Sequence, residues 1–424
     1  MSSILTNNGA MVALQTLKSI NANLATTQSQ ISTGKAVGSA KDNAAVWAIS
    51  KVMEADVQGF KGISDSLSLG ESTVAVARQA SETVTDLLTK MKSKIVASQE
   101  SNVDRAKIQT DIEALKDQIN SVVGAAQFNG LNLLSNSSTA AGSGTVNVLS
   151  SLDRSATGVK ATDIAVGKND LTTKARSVTG GTVAVSTAAA TLSATQTGSL
   201  AVSRTGTAGG VVYSIGLTGT DADSSKFVPA TYTTGATAPD AQKIMYITRD
   251  GDTAGDVAKG LSQAFAIYAA KNSLDTNVVN VTASGSSLNI SSGVTDGTDT
   301  VAVRIDTLTT PTSVVAGGGL EEIGNFNVTT EAGANAALGV IEVMIQTSID
   351  AATAFGSAEG RIETQAKFVS NLTDALKTGI GTLVDANMEE ASARLQALQV
   401  QQQLGVQSLS IANQAPQSIL SLFR

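Results

Sequence analysis

The chain has 424 residues, a formal net charge of −7, 15% charged residues and 3% aromatic residues. This length accommodates several domains, and the weak acidic charge offers no basic surface to nucleic acid or to an acidic membrane. Histidine and cysteine are absent, which removes the commonest general base and metal ligand, disulfide bonds and thiol nucleophiles. We therefore expect no enzyme, no metal and no cofactor. We also expect neither a cleavable secretory signal nor an apolar run of membrane-spanning length.

The first predicted helix is followed by a loop. Its apolar line has helical spacing and consists of Leu17, Ile20, Leu24 and Ile31. Gly34 and Gly38 then interrupt the pattern, so residues 32–41 are predicted to form a loop or hinge. Ser39 or Asp42 is the candidate cap of the helix that follows.

The second predicted helix carries the strongest periodic signal in the chain. Its seam steps by three and four residues through Val46, Ile49, Met53, Asp56, Phe60, Ile63, Leu67, Gly70, Val74, Ala77, Ser81, Val84, Leu88, Met91 and Ile95. This run far exceeds the roughly 11 residues of an ordinary globular helix. Asp56, Gly70 and Ser81 are its imperfect positions. A third helix is predicted to start near Ser101 or Asn102 and to fold back antiparallel on the second.

A tight turn and a β-rich block come next. Asn129-Gly130 predicts the turn because both residues tolerate a positive φ. Thr, Ser, Gly, Ala and Val dominate residues 135–319, and alternating runs predict strands at 146–152, 181–187, 211–217, 243–248, 277–284, 287–292 and 300–308. Thr253 and Asp256 have capping-box spacing before one helix. The block is therefore predicted to be an α+β insert.

Helical periodicity returns at about Glu331. The seam of this helix includes Ile345, Phe355, Val369 and Leu376. Near residues 383–388 the register slips by one residue, shortly after Gly379 and Gly381. We interpret the slip as a joint between two axial segments of one long helix.

The last segment, residues 384–424, has two apolar faces. One face carries Met388, Ala391, Leu395, Leu398, Gln402, Gly405, Leu409 and Ala412, and the other carries Ala397, Val400, Leu404 and Ile411. Between Arg394 and Arg424 the segment contains no charged residue. A helix of this kind needs packing partners on more than one side.

Together these patterns predict a mainly α fold with an α+β insert, in which long antiparallel coiled-coil helices come from both termini and a β-rich region lies outside them. The expected domains are residues 1–40 with 385–424 (terminal coiled coil), 41–175 with 326–384 (helical, with a β-hairpin) and 176–325 (β-rich outer region). The two helical ends of the chain can pack together only if the insert begins and ends at the same place on the helical part.

Three acidic regions suggest metal binding at first sight. Residues 249–256, RDGDTAGD, lack the full spacing and the closing Glu of a calcium loop, so a polar turn before a helix is favoured. Asp221 with Asp223, and Asp296 with Asp299, are interpreted in the same way as solvated turns.

Sequence motifs occur in order at both ends of the chain. They are ISTGK at 31–35, SAKDNAA at 39–45, QFNG at 127–130, RIE at 361–363, VSNL at 369–372 and ANQAPQSILSL at 412–422. Residues 1–135 and 326–424 thereby resemble the helical ends of bacterial flagellins. Asn43-Ala44-Ala45 and Trp47 make the chain similar to the alphaproteobacterial, rhizobial type.

The resemblance implies a structural subunit that polymerises into the helical flagellar filament for swimming motility. The alternative is a hook–filament junction protein of the same superfamily. The resemblance also implies type III export and an extracellular location in the filament. The implied partners are copies of the chain, related flagellins, an export chaperone, the export apparatus, the filament cap and hook-associated proteins.

Two residue sets are expected to carry the packing of the polymer. Subunit packing is assigned to Leu17, Ile20, Leu24, Ile31, Leu395, Leu398, Leu404, Leu409 and Ile411. The seam of the inner tube is assigned to Val46, Ile49, Met53, Phe60, Leu67, Leu88, Ile345, Phe355, Val369 and Leu376. We expect the terminal segments to be largely disordered in the monomer and to fold on assembly; the alternative is that they complete a bundle within one molecule.

The resemblance bears on one further segment, which an innate immune receptor recognises in many flagellins through Arg, Glu and Leu residues. Here residues 88–96 read LTKMKSKIV, with Lys90, Lys92, Ser93 and Lys94. Lysine lacks the planar fork of arginine, and an acidic and an apolar residue are missing. We expect poor activation of the receptor.

Overall fold

The computed structural model describes residues 7–155, 158–184, 189–193, 196–204, 206, 208–222, 232–234, 244–294, 298–309 and 311–422. Residues 185–187 of one predicted strand, Asp223, Asp296 and the last two residues lie outside this part. The helices are α1 (Asn8–Thr33), α2 (Ala44–Ala97), α3 (Arg105–Ala125), α4 (Ala254–Lys271), α5 (Glu331–Val384) and α6 (Met388–Leu422), with a 3-10 helix at Glu321–Asn325. The fold class is confirmed: long terminal helices enclose a strand-rich central region.

Each predicted strand run overlaps a strand in the described residues, and further strands lie outside the predicted runs. The strands are β1 (Gln127–Phe128), β2 (Leu131–Asn132), β3 (Thr145–Ser155), β4 (Gly158–Gly167), β5 (Ser177–Thr179), β6 (Thr182–Ala184), β7 (Ala189–Leu192), β8 (Thr197–Ala201), β9 (Val212–Thr220), β10 (Met245–Ile247), β11 (Val279–Ser284), β12 (Ser287–Ser292), β13 (Thr300–Thr309) and β14 (Ser313–Val315). Asn129 and Gly130 have φ values of 50° and 79° and form the two-residue turn between β1 and β2, as predicted.

The chain divides into two compact units. The first comprises Met1–Asp65, Ser151–Lys160 and Ala366–Arg424, and the second comprises Ser66–Ser150 and Ala161–Gln365. Helices α2 and α5 contribute residues to both units. The division into three domains made from the sequence remains a prediction.

In the first unit, α1 packs against α6. The interpretation of residues 331–422 as one jointed helix is wrong, because α5 ends at Val384 and α6 begins at Met388. The side chain of Asn387 accepts hydrogen bonds from the N–H groups of Glu389 and Glu390 and so caps α6. The register slip predicted from the sequence marks a true break between two helices.

The loop after α1 is bonded to that break. The N–H of Ala386 donates to the carbonyl of Gly34 at 2.9 Å, and the N–H of Ala36 donates to the carbonyl of Val384 at 2.6 Å. Neither candidate cap of α2 is correct, because Asn43 Oδ1 accepts from the N–H of Val46 at the start of α2. The carboxylate of Asp42 instead accepts from backbone groups inside the loop.

In the second unit, α2, α3 and α5 contribute side chains to an apolar core. Its largest fully buried side chains include Leu67, Leu88, Met91, Ile95, Ile112, Ile119 and Phe355. Helix α3 begins at Arg105 rather than near Ser101, because Asp104 accepts from the N–H of Lys107. A Cβ at Gly70 would lie 2.5 Å from Cγ1 of Val148, so this imperfect seam position makes room for β3.

The insert combines α4 with two larger sheets and a two-stranded sheet of β5 and β14. Strands β10, β9, β13 and β6 form one antiparallel sheet, in which β7 also pairs with β13, and β11, β12 and β8 form the other. Thr253 and Asp256 form the predicted capping box of α4. The expectation of a solvated turn at Asp299 is wrong: its side chain is fully buried, and Oδ1 accepts from the N–H of Ala222 at 2.8 Å.

The expectation that no apolar run reaches membrane-spanning length is not met by α5. An 18-residue window within it has a mean hydropathy of 1.3, which satisfies the length and composition of a membrane span, and 33% of that window is buried. In the second unit its buried residues include Val340, Ile341 and Met344. Packing in this core therefore covers part of the apolar stretch.

Candidate assembly surfaces

The predicted seam of α6 faces α1 within the same chain. At Gly405 a Cβ would lie 3.3 Å from Cδ1 of Leu17 and 3.8 Å from Cδ1 of Ile20, so the glycine allows close approach of the helices. Gln402 Nε2 donates to Asn21 Oδ1 at 2.7 Å. When folded, the two terminal helices of one chain are therefore complementary along this face.

The residues expected to pack subunits fall into two groups. Leu398 is buried, and Leu17, Ile20, Leu24, Ile31, Leu395 and Leu409 are half-buried. By contrast, Leu404 and Ile411 are 59% and 64% exposed. These two belong to the second apolar line of α6, together with the exposed Val400. One apolar face of the helix is thus covered by α1, and the other has no cover within the chain's described residues.

Helix α1 also leaves apolar side chains in solvent. Met11, Val12 and Leu14 are 63%, 63% and 58% exposed, although Ala10 and Ala13 beside them are half-buried. We call the exposed residues of the two helices the outer terminal surface: Met11, Val12, Leu14, Val400, Leu404, Val406 and Ile411. An apolar surface of this kind on two adjacent helices marks an interaction site.

The residues assigned to the inner-tube seam are placed differently in the two units. Leu67, Leu88 and Phe355 are fully buried in the second unit, and Val369 is buried in the first. Half-buried positions are Val46, Met53, Phe60, Ile345 and Leu376. Ile49 is 53% exposed. Their role in an inner tube stays a prediction, since burial in one chain does not report contacts between chains.

Residues 88–96, the lysine-rich segment, make contacts that the sequence pattern did not indicate. Lys92 forms an ion pair with Glu342 of α5, and Lys94 Nζ lies 2.6 Å from Asp111 Oδ2 of α3. Lys90 and Ser93 are exposed. The partners of Lys92 and Lys94 come from distant positions, so spacing within the segment could not reveal them.

A polar cluster lies where the insert joins its helices within the second unit. Arg249 donates through Nε to the carbonyl of Asn136 at 3.2 Å and through Nη2 to the carbonyl of Gly317. Arg176 Nη1 lies 3.3 Å from Glu321 Oε1. These contacts connect the segment that leads from the helices into the insert with the segment that leads from the insert back to the helices.

Burial perturbs the acids of this cluster. It raises the pKa of Asp252 and of Glu321 above their ordinary values. The neighbouring Glu322 behaves oppositely: burial opposes ionisation, but hydrogen bonds from Lys271 and Asn325 outweigh it and lower the pKa. The RDGDTAGD stretch forms a polar turn in which Asp252 Oδ2 accepts from the Tyr246 hydroxyl at 2.8 Å and from the N–H of Arg249 at 2.7 Å.

Comparison with known proteins identifies the family. Residues 4–139 match the model of the bacterial flagellin N-terminal helical region, and residues 338–423 match that of the bacterial flagellin C-terminal helical region. Flagellin A of Rhizobium meliloti is 34% identical and flagellin A of Rhizobium meliloti strain 1021 is 36% identical, each with 100% of both chains covered. Flagellin FljM of Caulobacter vibrioides is 28% identical, covering 100% of this chain and 99% of its own. The chain therefore belongs to the bacterial flagellin family, and it is similar over its whole length to rhizobial flagellins.

Proposed function

We propose that this flagellin, a structural subunit of the bacterial flagellar filament, polymerises by burying its outer terminal surface against sister molecules. The observation that carries the proposal is the exposure of Leu404 and Ile411 on a helix whose opposite face is already covered by α1. Burial of one such side chain contributes about 1.5–3 kcal/mol. Repeated contacts between different patches of identical subunits, when they do not close into a ring, generate an open helical polymer.

The charge of α6 suits a packed interior. Glu389, Glu390 and Arg394 lie near its start, and no charged residue follows within the helix. Burying neutral side chains avoids the large desolvation cost of charges. We further propose that the terminal segments are largely disordered in the monomer and become ordered on assembly, so that the entropy lost on ordering is offset by contacts with neighbours.

Family membership supports a more detailed proposal about the life of the subunit. The chain would be exported unfolded by a type III apparatus with the help of a chaperone, and it would add to the filament beneath a cap. It would contact hook-associated proteins at the base of the filament and co-assemble with related flagellins. In this role the chain is a structural subunit, and no catalytic step is assigned to it.

Polymerisation of purified protein tests the proposal. We expect seeded wild-type protein to form long filaments, seen by electron microscopy and measured by sedimentation. Replacing Leu404 and Ile411 together by Gln should raise the critical concentration at least tenfold. The matched control exchanges their identities, Leu404→Ile with Ile411→Leu, and should assemble as the wild type does.

The same experiment separates a filament subunit from a junction protein. A junction protein would give short, non-propagating assemblies even with excess monomer. Equal assembly of the Gln variant and of the control would show that the outer terminal surface is not the interface.

A further inference from the structure

The methionines of the described residues differ sharply in their exposure. Met91, Met245 and Met344 are buried, and Met53 is half-buried. Met11 and Met388 are 63% and 43% exposed. Both exposed thioethers lie on the terminal helices. Met11 is near the start of α1, and Met388 is the first residue of α6.

Exposed thioethers react with peroxides, whereas buried ones are protected. The reaction transfers one oxygen atom from the peroxide to the methionine sulfur, so the sulfur loses two electrons and hydrogen peroxide leaves as water. The product is a sulfoxide, which is polar and accepts hydrogen bonds. Reductases specific for each sulfoxide epimer restore the thioether.

The position of Met11 gives this reaction a consequence. Met11 lies beside the exposed Val12 and Leu14 in the outer terminal surface, so its sulfoxide places a polar oxygen among apolar side chains. Burying an unpartnered polar oxygen against a neighbouring molecule costs free energy. Every subunit of a polymer repeats the contact, so the penalty applies to each addition.

We propose that Met11 and Met388 are two separate peroxide-sensitive modification sites that control polymerisation, one near the start of each terminal helix: their sulfoxides block assembly, and reduction restores it. This inference rests on the proposed function, because it requires the terminal helices to be buried between subunits. Met91, Met245 and Met344 do not take part, since they are buried.

The test oxidises unassembled protein with hydrogen peroxide, maps sulfoxides by mass spectrometry and measures the critical concentration by sedimentation. We expect Met11 and Met388 to be oxidised before Met91 and Met344, and the critical concentration to rise at least tenfold. Treatment with both classes of sulfoxide reductase should return it to the starting value. The variant carrying Met11→Leu and Met388→Leu, which keeps apolar, helix-favouring side chains, should assemble equally well before and after peroxide.

Two results would overturn the inference. Oxidised wild-type protein that assembles at an unchanged critical concentration would show that the sulfoxides are tolerated. An equal loss of assembly in the leucine variant would assign the effect to other residues. Failure of the unoxidised wild type to polymerise is a separate result, since it would refute the proposed function itself and the inference with it. The single leucine variants then show which thioether dominates.

Discussion

Gln402 and Asn21 are joined by a hydrogen bond of 2.7 Å although they lie 381 positions apart in the sequence. The bond connects α6 to α1 at a point where Gly405, one turn further on, brings the helices close together. The two ends of the chain are thus complementary along one face. What they leave uncovered on the opposite face is the surface on which the filament proposal depends.

Enlarging Gly405 should separate the terminal helices. Gly405→Leu places a branched side chain against Leu17 and Ile20, for which the 3.3 Å approach leaves no space. We expect overpacking to cost about 1–3 kcal/mol and the critical concentration for polymerisation to rise by roughly tenfold or more. Gly405→Ala is the matched control, since Leu17 can yield by a few tenths of an ångström. Equal behaviour of the two variants would refute this role of the glycine.

Replacing Arg249 should loosen the junction between the insert and its helices. Arg249→Met removes the donors to the carbonyls of Asn136 and Gly317, and each unsatisfied buried carbonyl costs about 1–3 kcal/mol. We expect faster amide hydrogen exchange at residues 136–144 and 316–320. Arg204→Met, which removes bonds to the carbonyls of Asp252 and Ala208, serves as a control that leaves the Asn136 and Gly317 contacts intact. Unchanged exchange in the Arg249 variant would contradict the assignment.

The adjacent acids Glu321 and Glu322 should affect stability oppositely as pH changes. Burial raises the pKa of folded Glu321 above the ordinary value of 4.5, so its stabilising contribution is complete below that value and is lost as pH rises through the folded pKa. The pKa of Glu322 is lowered overall, so its contribution is present above 4.5 and is lost as pH falls through the folded pKa.

Denaturant unfolding of single variants measures this difference. Relative to the wild type, Glu321→Gln should remove a decline in unfolding free energy as pH rises above about 4.5, the ordinary glutamate pKa. Glu322→Gln should remove a decline in unfolding free energy as pH falls below the same value. Two variants with the same pH profile would show that the environments of these carboxyls are not as different as their partners indicate.

The lysine-rich segment should make the protein a weak activator of the innate receptor. Lys92 and Lys94 form ion pairs with Glu342 and Asp111, and Lys90 and Ser93 are exposed. A lysine presents a point charge where the receptor-active flagellins present a planar arginine. A reporter-cell assay checks this expectation against a strongly activating flagellin as positive control. Full-strength signalling by this chain would contradict it.

Local patterns predicted most elements of the fold. The three- and four-residue steps predicted α2 and α5, alternation predicted strands such as β12, and the Thr253–Asp256 spacing predicted the start of α4. These features depend on neighbours within a few residues, and sequence spacing records such neighbours directly.

Features that depend on distant partners were missed. Gly70 interrupts a helical seam, but Val148 fills the space above it. Asp299 is buried, and the N–H of Ala222, 77 positions away in the sequence, donates to it. The break before Met388 depends on hydrogen bonds from the loop after α1. Sequence spacing carries no information on such contacts, so the register slip was visible but its cause was not.

Amide hydrogen exchange of the terminal helices, compared between dilute monomer and filament, tests the central claim most directly. The account predicts rapid exchange at residues 8–33 and 388–422 in the monomer and strong protection of the same amides in the filament. Protection that is already complete in the dilute monomer, in a protein that stays single after seeding, would contradict it.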